Sequence, residues 1–484
     1  MMHKLNLSGI VLSGLLIWVS TAVAQNPSGG AQQPPPPNPT SAGSRAAPKE
    51  AASGFPMMGG QEVVADTNSL SGAENLTLGL PASGHSLLLP SFGISTQAQF
   101  NPYNSNQRYD PSVIETTYLT GRLALNRSSG RSNLSLDYTT GGSFSNDSNI
   151  GWSAVQNFHF SDSIHWGRWS TMFGDQFSYT PQSPFGFAGL GSLNTLGVGL
   201  GNGVGSNSGF RNDFLPSQSI LISGSPQISN SVIGELDYAL SHRSSLTFAG
   251  SYGLLDFVDA GFQNSSYANF QGGYNYSLDR KNTIALFYGF NAVMLSGLDQ
   301  RIENHSVQFS YARRITGRLS FQVAGGPSAI LFKSALAGPS SVASWTASSS
   351  LKYQYRRFGM GFSYNHSLTG GSGLLPGAET NLFSGSLNHS VNKDWEGVIS
   401  SGYSRNRALQ QTMPNANSAT PQSWFASVQV SRNFVRYGSL YIAYGASGQS
   451  NLDSLCTVPA CGVSSFSSTV SIGYNWGLRP IVLE

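Results

Sequence analysis

The residues that could do chemistry are few and stand apart from one another. Six charged residues occur singly in segments where small polar residues alternate with apolar ones: Arg122, Asp137, Arg168, Glu235, Asp237 and Lys352. A lone charge on a polar face can attract or repel an ion, or it can pair with an opposite charge on a neighbouring strand. Both roles stay open, and the mixed signs argue against strong selectivity for anions or cations.

No arrangement of side chains indicates catalysis or metal binding. His159 and His165 lie close in sequence, but no third ligand is near, so we expect them to be surface polar residues. Neither a Gly-x-Ser-x-Gly nor a His-Glu-x-x-His motif occurs. We therefore expect no enzymatic activity, no cofactor and no metal.

Alternating segments define the elements that carry the six charges. In Gly234 to Tyr252, Leu236, Tyr238 and Leu240 alternate with polar residues, a polar turn follows, and the alternation resumes. A period of two predicts strands with one apolar and one polar face, and the short turn predicts an antiparallel hairpin. Similar hairpins recur over nearly 400 residues.

The composition is unusual for a chain that folds in water. Charged residues make up only 10% of the 484, while Gly contributes 56 residues. Soluble domains carry about 25% charged residues. A formal net charge of +3 without a basic cluster predicts no nucleic-acid partner.

Three segments follow one another along the chain. Residues 1–24 combine Lys4, an apolar stretch and Ala22-Val-Ala24, the pattern of a cleaved signal peptide. Residues 25–85 are rich in Pro, Ala and Gly and predict a disordered spacer. The alternating strands occupy residues 86–484. In an exported chain, Cys456 and Cys461 predict a local disulfide that pins one loop.

Short and long connections alternate between the strands. The short ones are predicted at Arg127–Gly130, Ser161–Ser163, Ser241–Ser244, Asp279–Lys281, Arg314–Gly317, Arg356–Gly359, Asn392–Asp394 and Val435–Gly438. Longer ones are predicted at Asn101–Ser112, Thr180–Asn230, Val293–Glu303, Pro327–Ser341 and Asn406–Gln422. The scheme gives about 18 strands (16–18), an even number that leaves both ends of the sheet on one side.

The strands of a soluble β-sandwich would also alternate between apolar and polar residues, so two further features of the sequence are needed to distinguish it from a membrane barrel. Aromatic residues recur near the short turns, and the polar face is small and uncharged along most strands. Both are typical of a transmembrane antiparallel up-and-down β-barrel with short periplasmic turns and long extracellular loops.

The last strand resembles the C-terminal strand of bacterial outer-membrane β-barrels. Val470, Ile472, Tyr474 and Trp476 alternate up to an aromatic end, with Gly473 before Tyr474, although Gly477 to Glu484 continue past it. The resemblance implies an outer-membrane location in a Gram-negative-type bacterium, contact with outer-membrane lipid, and recognition of Gly473, Tyr474 and Trp476 by the barrel-assembly machinery.

The outline is similar to that of porins, in which the loop after the fifth strand folds into the channel. The resemblance therefore implies a constriction at Thr180–Asn230, although a mobile external loop is equally consistent with this sequence. We expect passive diffusion of small hydrophilic solutes. The alternative is a structural or surface-interaction barrel with a filled lumen. Copies of the chain could associate into a homo-oligomer.

Overall fold

A computed structural model describes most of the chain from residue 86 onward. It covers residues 86–483 apart from 101–112, 147–150, 181–225, 259–263, 280, 297–299, 335–339, 370–377, 393, 409–419, 436–437, 451–464 and 480. In this part of the chain, no helix is long and apolar enough to cross a membrane.

All the regular structure described is β-strand. The strands are β1 (Ser86–Phe100), β2 (Ile114–Ser128), β3 (Ser132–Ser145), β4 (Trp152–Trp166), β5 (Trp169–Thr180), β6 (Gln227–Ala239), β7 (Ser244–Phe257), β8 (Ser265–Ser277), β9 (Asn282–Leu295), β10 (Gln300–Arg314), β11 (Leu319–Ser334), β12 (Ser340–Tyr355), β13 (Phe358–Thr369), β14 (Ala378–Ser390), β15 (Trp395–Ala408), β16 (Gln422–Val435), β17 (Gly438–Ser450), β18 (Ser465–Gly477) and the short β19 (Ile481–Leu483).

The sheet closes on itself. From β1 to β18, each strand pairs antiparallel with the strands before and after it in sequence. β1 also pairs with β18, from Ser91 opposite Gly477 to Phe100 opposite Ser468. The result is an 18-stranded up-and-down barrel, which confirms the predicted fold class and strand number.

β19 extends the closing seam. The backbone N–H of Leu478 donates to the Pro90 carbonyl at 2.8 Å, and Ile481 to Leu483 then pair with the first three residues of β1. The residues after Trp476 thus pair with β1, as β18 does. This gives a structural role to the segment by which the sequence departs from the usual C-terminal pattern.

The predicted alternation of faces is confirmed on β10 and β16. On β16, Trp424, Val428 and Val430 are exposed on the outer face, while Ser427 and Gln429 are buried on the inner face. The same division separates Val307 and Phe309 from Ser306 and Ser310 on β10, as the period of two requires.

Three predicted connections are wrong in position. The chain does not turn at Ser161–Ser163, because β4 continues to Trp166 and the turn is Gly167-Arg168. Gly167 has φ +62°, a conformation that glycine adopts without steric cost. The predicted loops at Val293–Glu303 and Pro327–Ser341 are mostly strand, because β9 to β12 run past the apolar stretch that marks each strand in the sequence.

A side chain at the start of the turn organises several of the short connections. Ser241 Oγ accepts the backbone N–H groups of Arg243 and Ser244, and Thr316 Oγ1 and Asn392 Oδ1 do the same two and three residues ahead. Asp279 accepts such bonds at 2.6 and 2.8 Å. The side-chain amide of Asn282 also donates to Asp279, at 2.7 Å, and this bond, followed by the backbone bonds, lowers the pKa of Asp279. Ser, Thr, Asn and Asp favour turns through this contact.

We predict that Gly473→Ala lowers the stability of the barrel. Gly473 lies opposite Tyr441 on the inner face, and a Cβ added at Gly473 would overlap the Tyr441 ring. Overpacking of this kind costs about 1–3 kcal/mol. The measurement is denaturant unfolding in lipid vesicles. Gly234→Ala is the control, since a Cβ there meets nothing within 4 Å. Equal stabilities of the two variants would contradict the prediction.

Candidate functional site

The inner face of the barrel is a candidate site because it is continuous and mostly neutral. Serine hydroxyls meet directly across neighbouring strands, as between Ser400 and Ser427 at 2.6 Å and between Ser404 and Ser423 at 2.6 Å. Further hydroxyl pairs join Ser178 to Ser229 and Ser363 to Ser384. Each pair satisfies part of its own hydrogen-bonding capacity, so the inner face needs no charge to remain polar.

The strongest charged contact on the inner face joins β2 to β3. Arg122 Nε donates to both carboxylate oxygens of Asp137, at 3.0 and 2.9 Å, and Arg122 Nη2 forms an ion pair with the same group. His159 on β4 lies directly opposite Asp137. His159 is buried at 4% exposure, so the prediction of a surface position is wrong. The structure brings two of the six predicted charges together, and they neutralise each other.

Two acids lie on the inner face nearer the short turns. Glu235 and Asp237 are on β6, and the Thr247 hydroxyl of β7 donates to the Asp237 carboxylate. The Asn275 amide of β8 reaches the same hydroxyl at 3.3 Å. Asp237 therefore belongs to a hydrogen-bonded chain across three strands, which fixes its position.

Within the described part of the structure, neither Arg168 nor Lys352 places a charge on the inner face. Arg168 is exposed in the turn between β4 and β5, because the strand is longer than predicted and the turn lies five residues later. Lys352 is in β12 opposite Ser320 and Gly361, and its side chain lies outside the described part.

Sequence reasoning missed one inner acid and an apolar region. Glu396 is the second residue of β15 and shares the inner face with Val398 and Ser400. Near the long connections, the inner face carries buried apolar side chains on β7 to β11: Leu255, Phe257, Tyr267, Val293, Leu295, Ile302, Ile330 and Phe332. Ile302, Ile330 and Phe332 pack in one cluster with Leu368.

The signal for the apolar region is an inversion of the alternation. At the start of β10, Arg301 and Glu303 are outside and Ile302 is inside, whereas Val307 and Phe309 further along are outside. Arg301 and Lys333 both pair with Glu303 on the outer face, at 2.8 Å each. Charged residues on the outer face mark the end of the apolar band there.

The outer face between the two ends is a continuous apolar band. Exposed side chains include Ile94, Leu119, Phe173, Leu286 and Ile472 on strands distributed around the barrel. Trp169 contacts Tyr238 and Tyr353 contacts Phe358 near short turns. A closed sheet satisfies its own backbone groups, and an apolar band flanked by aromatic rings matches a bilayer. The chain is a transmembrane β-barrel of the outer-membrane type.

Two carboxylates lie within the outer band: Asp162 on β4, opposite Phe173, and Asp175 on β5. Asp175 lies on β5 between Phe173 and Phe177, opposite Phe160, and is half-buried. Asn230 Nδ2 donates to Asp175 Oδ1 at 2.9 Å and also to the Gln176 carbonyl. An ionisable group on a lipid-facing surface is costly, and the Asn230 amide supplies part of the hydrogen bonding that lipid cannot.

Comparisons with known proteins find similarity in the fold but not in the sequence. No protein-family model matches the chain, and no curated protein matches it. Among solved structures, it is similar to Pseudomonas aeruginosa OccK2 (OpdF), crystallised with glucuronate, at 11% identity and a TM-score of 0.40, covering 81% of this chain and 98% of that one. Acinetobacter baumannii OccAB2 gives 11% identity, a TM-score of 0.41 and coverage of 81% and 98%.

Several predicted features fall outside the described residues. These are the signal peptide and spacer, Cys456 and Cys461, and nearly all of the Thr180–Asn230 connection, of which Thr180 and residues 227–230 belong to β5 and β6. Within the described part, no group of three or more His, Cys, Asp or Glu could hold a metal ion.

We predict that Asp137→Asn destabilises the barrel and that a second change reverses the effect. The single change leaves the partly buried Arg122 guanidinium without its carboxylate, which costs about 1.5–3 kcal/mol. The double variant R122Q/D137N removes both charges and recovers most of that loss. Urea unfolding in vesicles gives the coupling energy, and additive losses in the double variant would refute the pairing.

We also predict that Asp175→Leu stabilises the barrel in a bilayer by about 1–2 kcal/mol, because it removes a carboxylate from the lipid-facing surface. Unfolding in vesicles measures the effect relative to the native protein. A loss of stability in Asp175→Leu would show that a polar partner, and not lipid, contacts Asp175.

Proposed function

We propose that the barrel is a porin-like channel for passive diffusion of small hydrophilic solutes across the outer membrane. The observation that carries the proposal is the neutral polar inner face of a closed 18-stranded barrel. Barrels of 16–18 strands are wide enough to enclose an aqueous path.

The charges on the inner face support weak selectivity in such a channel. Arg122 and Asp137 cancel each other, while Asp237 and Glu396 are further acids toward the short turns. Acidic groups along a water-filled path favour cations. The proposal therefore includes a modest preference for cations over anions, with the Thr180–Asn230 segment as a constriction.

A second function is favoured by the buried apolar region on β7 to β11. Ile302 and Ile330 are 1% and 2% exposed on the inner face, as expected where the lumen is filled. A structural or surface-interaction barrel, which uses the Pro-rich spacer and the long connections, would have such a lumen. Deletion of Gln25 to Gly84 would then abolish cell-wall or surface binding without changing solute uptake.

Conductance in planar bilayers separates the two functions. Ser348 and Ser349 are neighbours on β12 whose side chains are on the inner and outer face respectively. We predict stepwise conductance for the native protein. In a cysteine-free background, a charged thiol reagent should reduce the conductance of Ser348→Cys and leave Ser349→Cys unchanged.

The pair of variants makes the result specific to the lumen. The outer position faces lipid, where a charged reagent does not partition. Absence of stepwise conductance in the native protein would contradict the channel and favour the filled barrel. Equal block of both variants would contradict the assignment of faces.

A further inference from the structure

One end of the barrel carries a concentration of positive charge that the channel does not require. We define the short-turn rim as the eight short connections, the four strand residues on each side of them, and Arg479 after β18. Its basic residues with described side chains number twelve: Arg127, Arg131, Arg168, Arg243, Lys281, Arg313, Arg314, Arg318, Arg356, Arg357, Arg432 and Arg479. Four acids accompany them: Asp237, Asp279, Asp394 and Glu396.

Among the described residues, the opposite end of the barrel shows no such excess. Its described charges are four basic and four acidic residues: Arg301, Lys333, Arg405, Arg407, Glu115, Asp256, Glu303 and Glu379. Two of the basic residues, Arg301 and Lys333, already pair with Glu303. The asymmetry is therefore specific to the short-turn rim and does not follow from the need of any membrane protein for polar ends.

The rim charges surround the barrel and are almost all exposed. Each of the eight short connections or its flanking residues contains at least one Lys or Arg in the sequence. All twelve described basic residues except Arg314 are exposed. Ser241, Thr316, Asn392 and Asp279 satisfy backbone N–H groups of their turns, so these N–H groups need no basic side chain. Arg357 donates to the Val391 carbonyl at 3.3 Å.

Aromatic side chains fix the depth of several rim guanidinium groups. Arg318 lies 4.0 Å from the centroid of the Tyr355 ring, and Arg432 lies 5.2 Å from that of Trp395 and 4.7 Å from that of Phe434. Tyr and Trp rings occupy the boundary between hydrocarbon and headgroups. An arginine held against such a ring lies at the level of the lipid phosphates, which it binds well.

We propose that the short-turn rim binds the phosphate headgroups of anionic phospholipids in the adjacent leaflet. The rim acts as a ring of separate contacts in which guanidinium groups pair with phosphates while neighbouring aromatic rings contact the upper acyl chains. Basic residues near a membrane surface attract anionic lipid additively and lose this attraction at high salt. The rim thereby anchors the depth of the barrel and enriches anionic lipid around it.

The test uses the full-length protein in nanodiscs of phosphatidylethanolamine with or without phosphatidylglycerol. Native mass spectrometry counts the phosphatidylglycerol retained, and a parallel series adds salt. The variant R356Q/R357Q removes two exposed rim charges in one turn. Its matched control, R405Q/R407Q, removes two exposed charges from the other end. Circular dichroism and unfolding confirm that both variants are folded.

We expect the native protein to retain phosphatidylglycerol in preference to phosphatidylethanolamine, and R356Q/R357Q to bind it roughly tenfold more weakly, since each basic residue contributes several-fold. The R405Q/R407Q control should bind as the native protein does. Equal retention by R356Q/R357Q and native protein, or a larger loss in the control, would overturn the proposal. Preference for added lipopolysaccharide over phosphatidylglycerol at the rim would overturn it as well. None of these results depends on whether the barrel conducts.

Discussion

The pairing of β1 with β18 is the constraint on which the rest of the structure depends. An open sheet would leave a row of N–H and C=O groups without partners, and lipid offers them none. From Ser91–Gly477 to Phe100–Ser468 the two strands supply those partners, and β19 continues the contact to Ser86. Closure then determines the environment of every strand, because each strand must present one face to lipid and the other to the interior.

That division explains the composition of the chain. The outer face excludes charge over the apolar band, so Lys and Arg collect at the short-turn rim, where water and lipid phosphates are within reach. The inner face is polar while carrying few charges, because hydroxyl groups pair with one another, as in Ser400–Ser427. Where opposite charges meet inside, they compensate each other, as in the bond between Arg122 and Asp137. Asp175 is an exception on the outer face, and its Asn230 partner shows how a carboxylate there is accommodated.

Local sequence predicts the faces of the strands well but not their ends. Alternation correctly assigns Trp424, Val428 and Val430 to the outer face, since a period of two is a local property. It places Arg168 wrongly because Ser161-Asp-Ser163 resembles a turn as strongly as Gly167-Arg168 does, and only pairing with β5 selects between them. It also misses Ile302 and Phe332, because the apolar face changes sides where the strands leave the bilayer. Such contacts depend on strand register and depth, which neighbouring residues do not encode.

The most direct test of the account is the environment of successive residues along one strand. Spin labels placed singly along β16 from Ser423 to Val430, in the protein reconstituted into vesicles, report contact with a water-soluble paramagnetic complex and with oxygen dissolved in lipid. The account predicts that positions 423, 427 and 429 respond to the aqueous complex and positions 424, 428 and 430 to oxygen. If both sets responded alike to the aqueous complex, the outer face would not be against lipid and the transmembrane barrel would be contradicted.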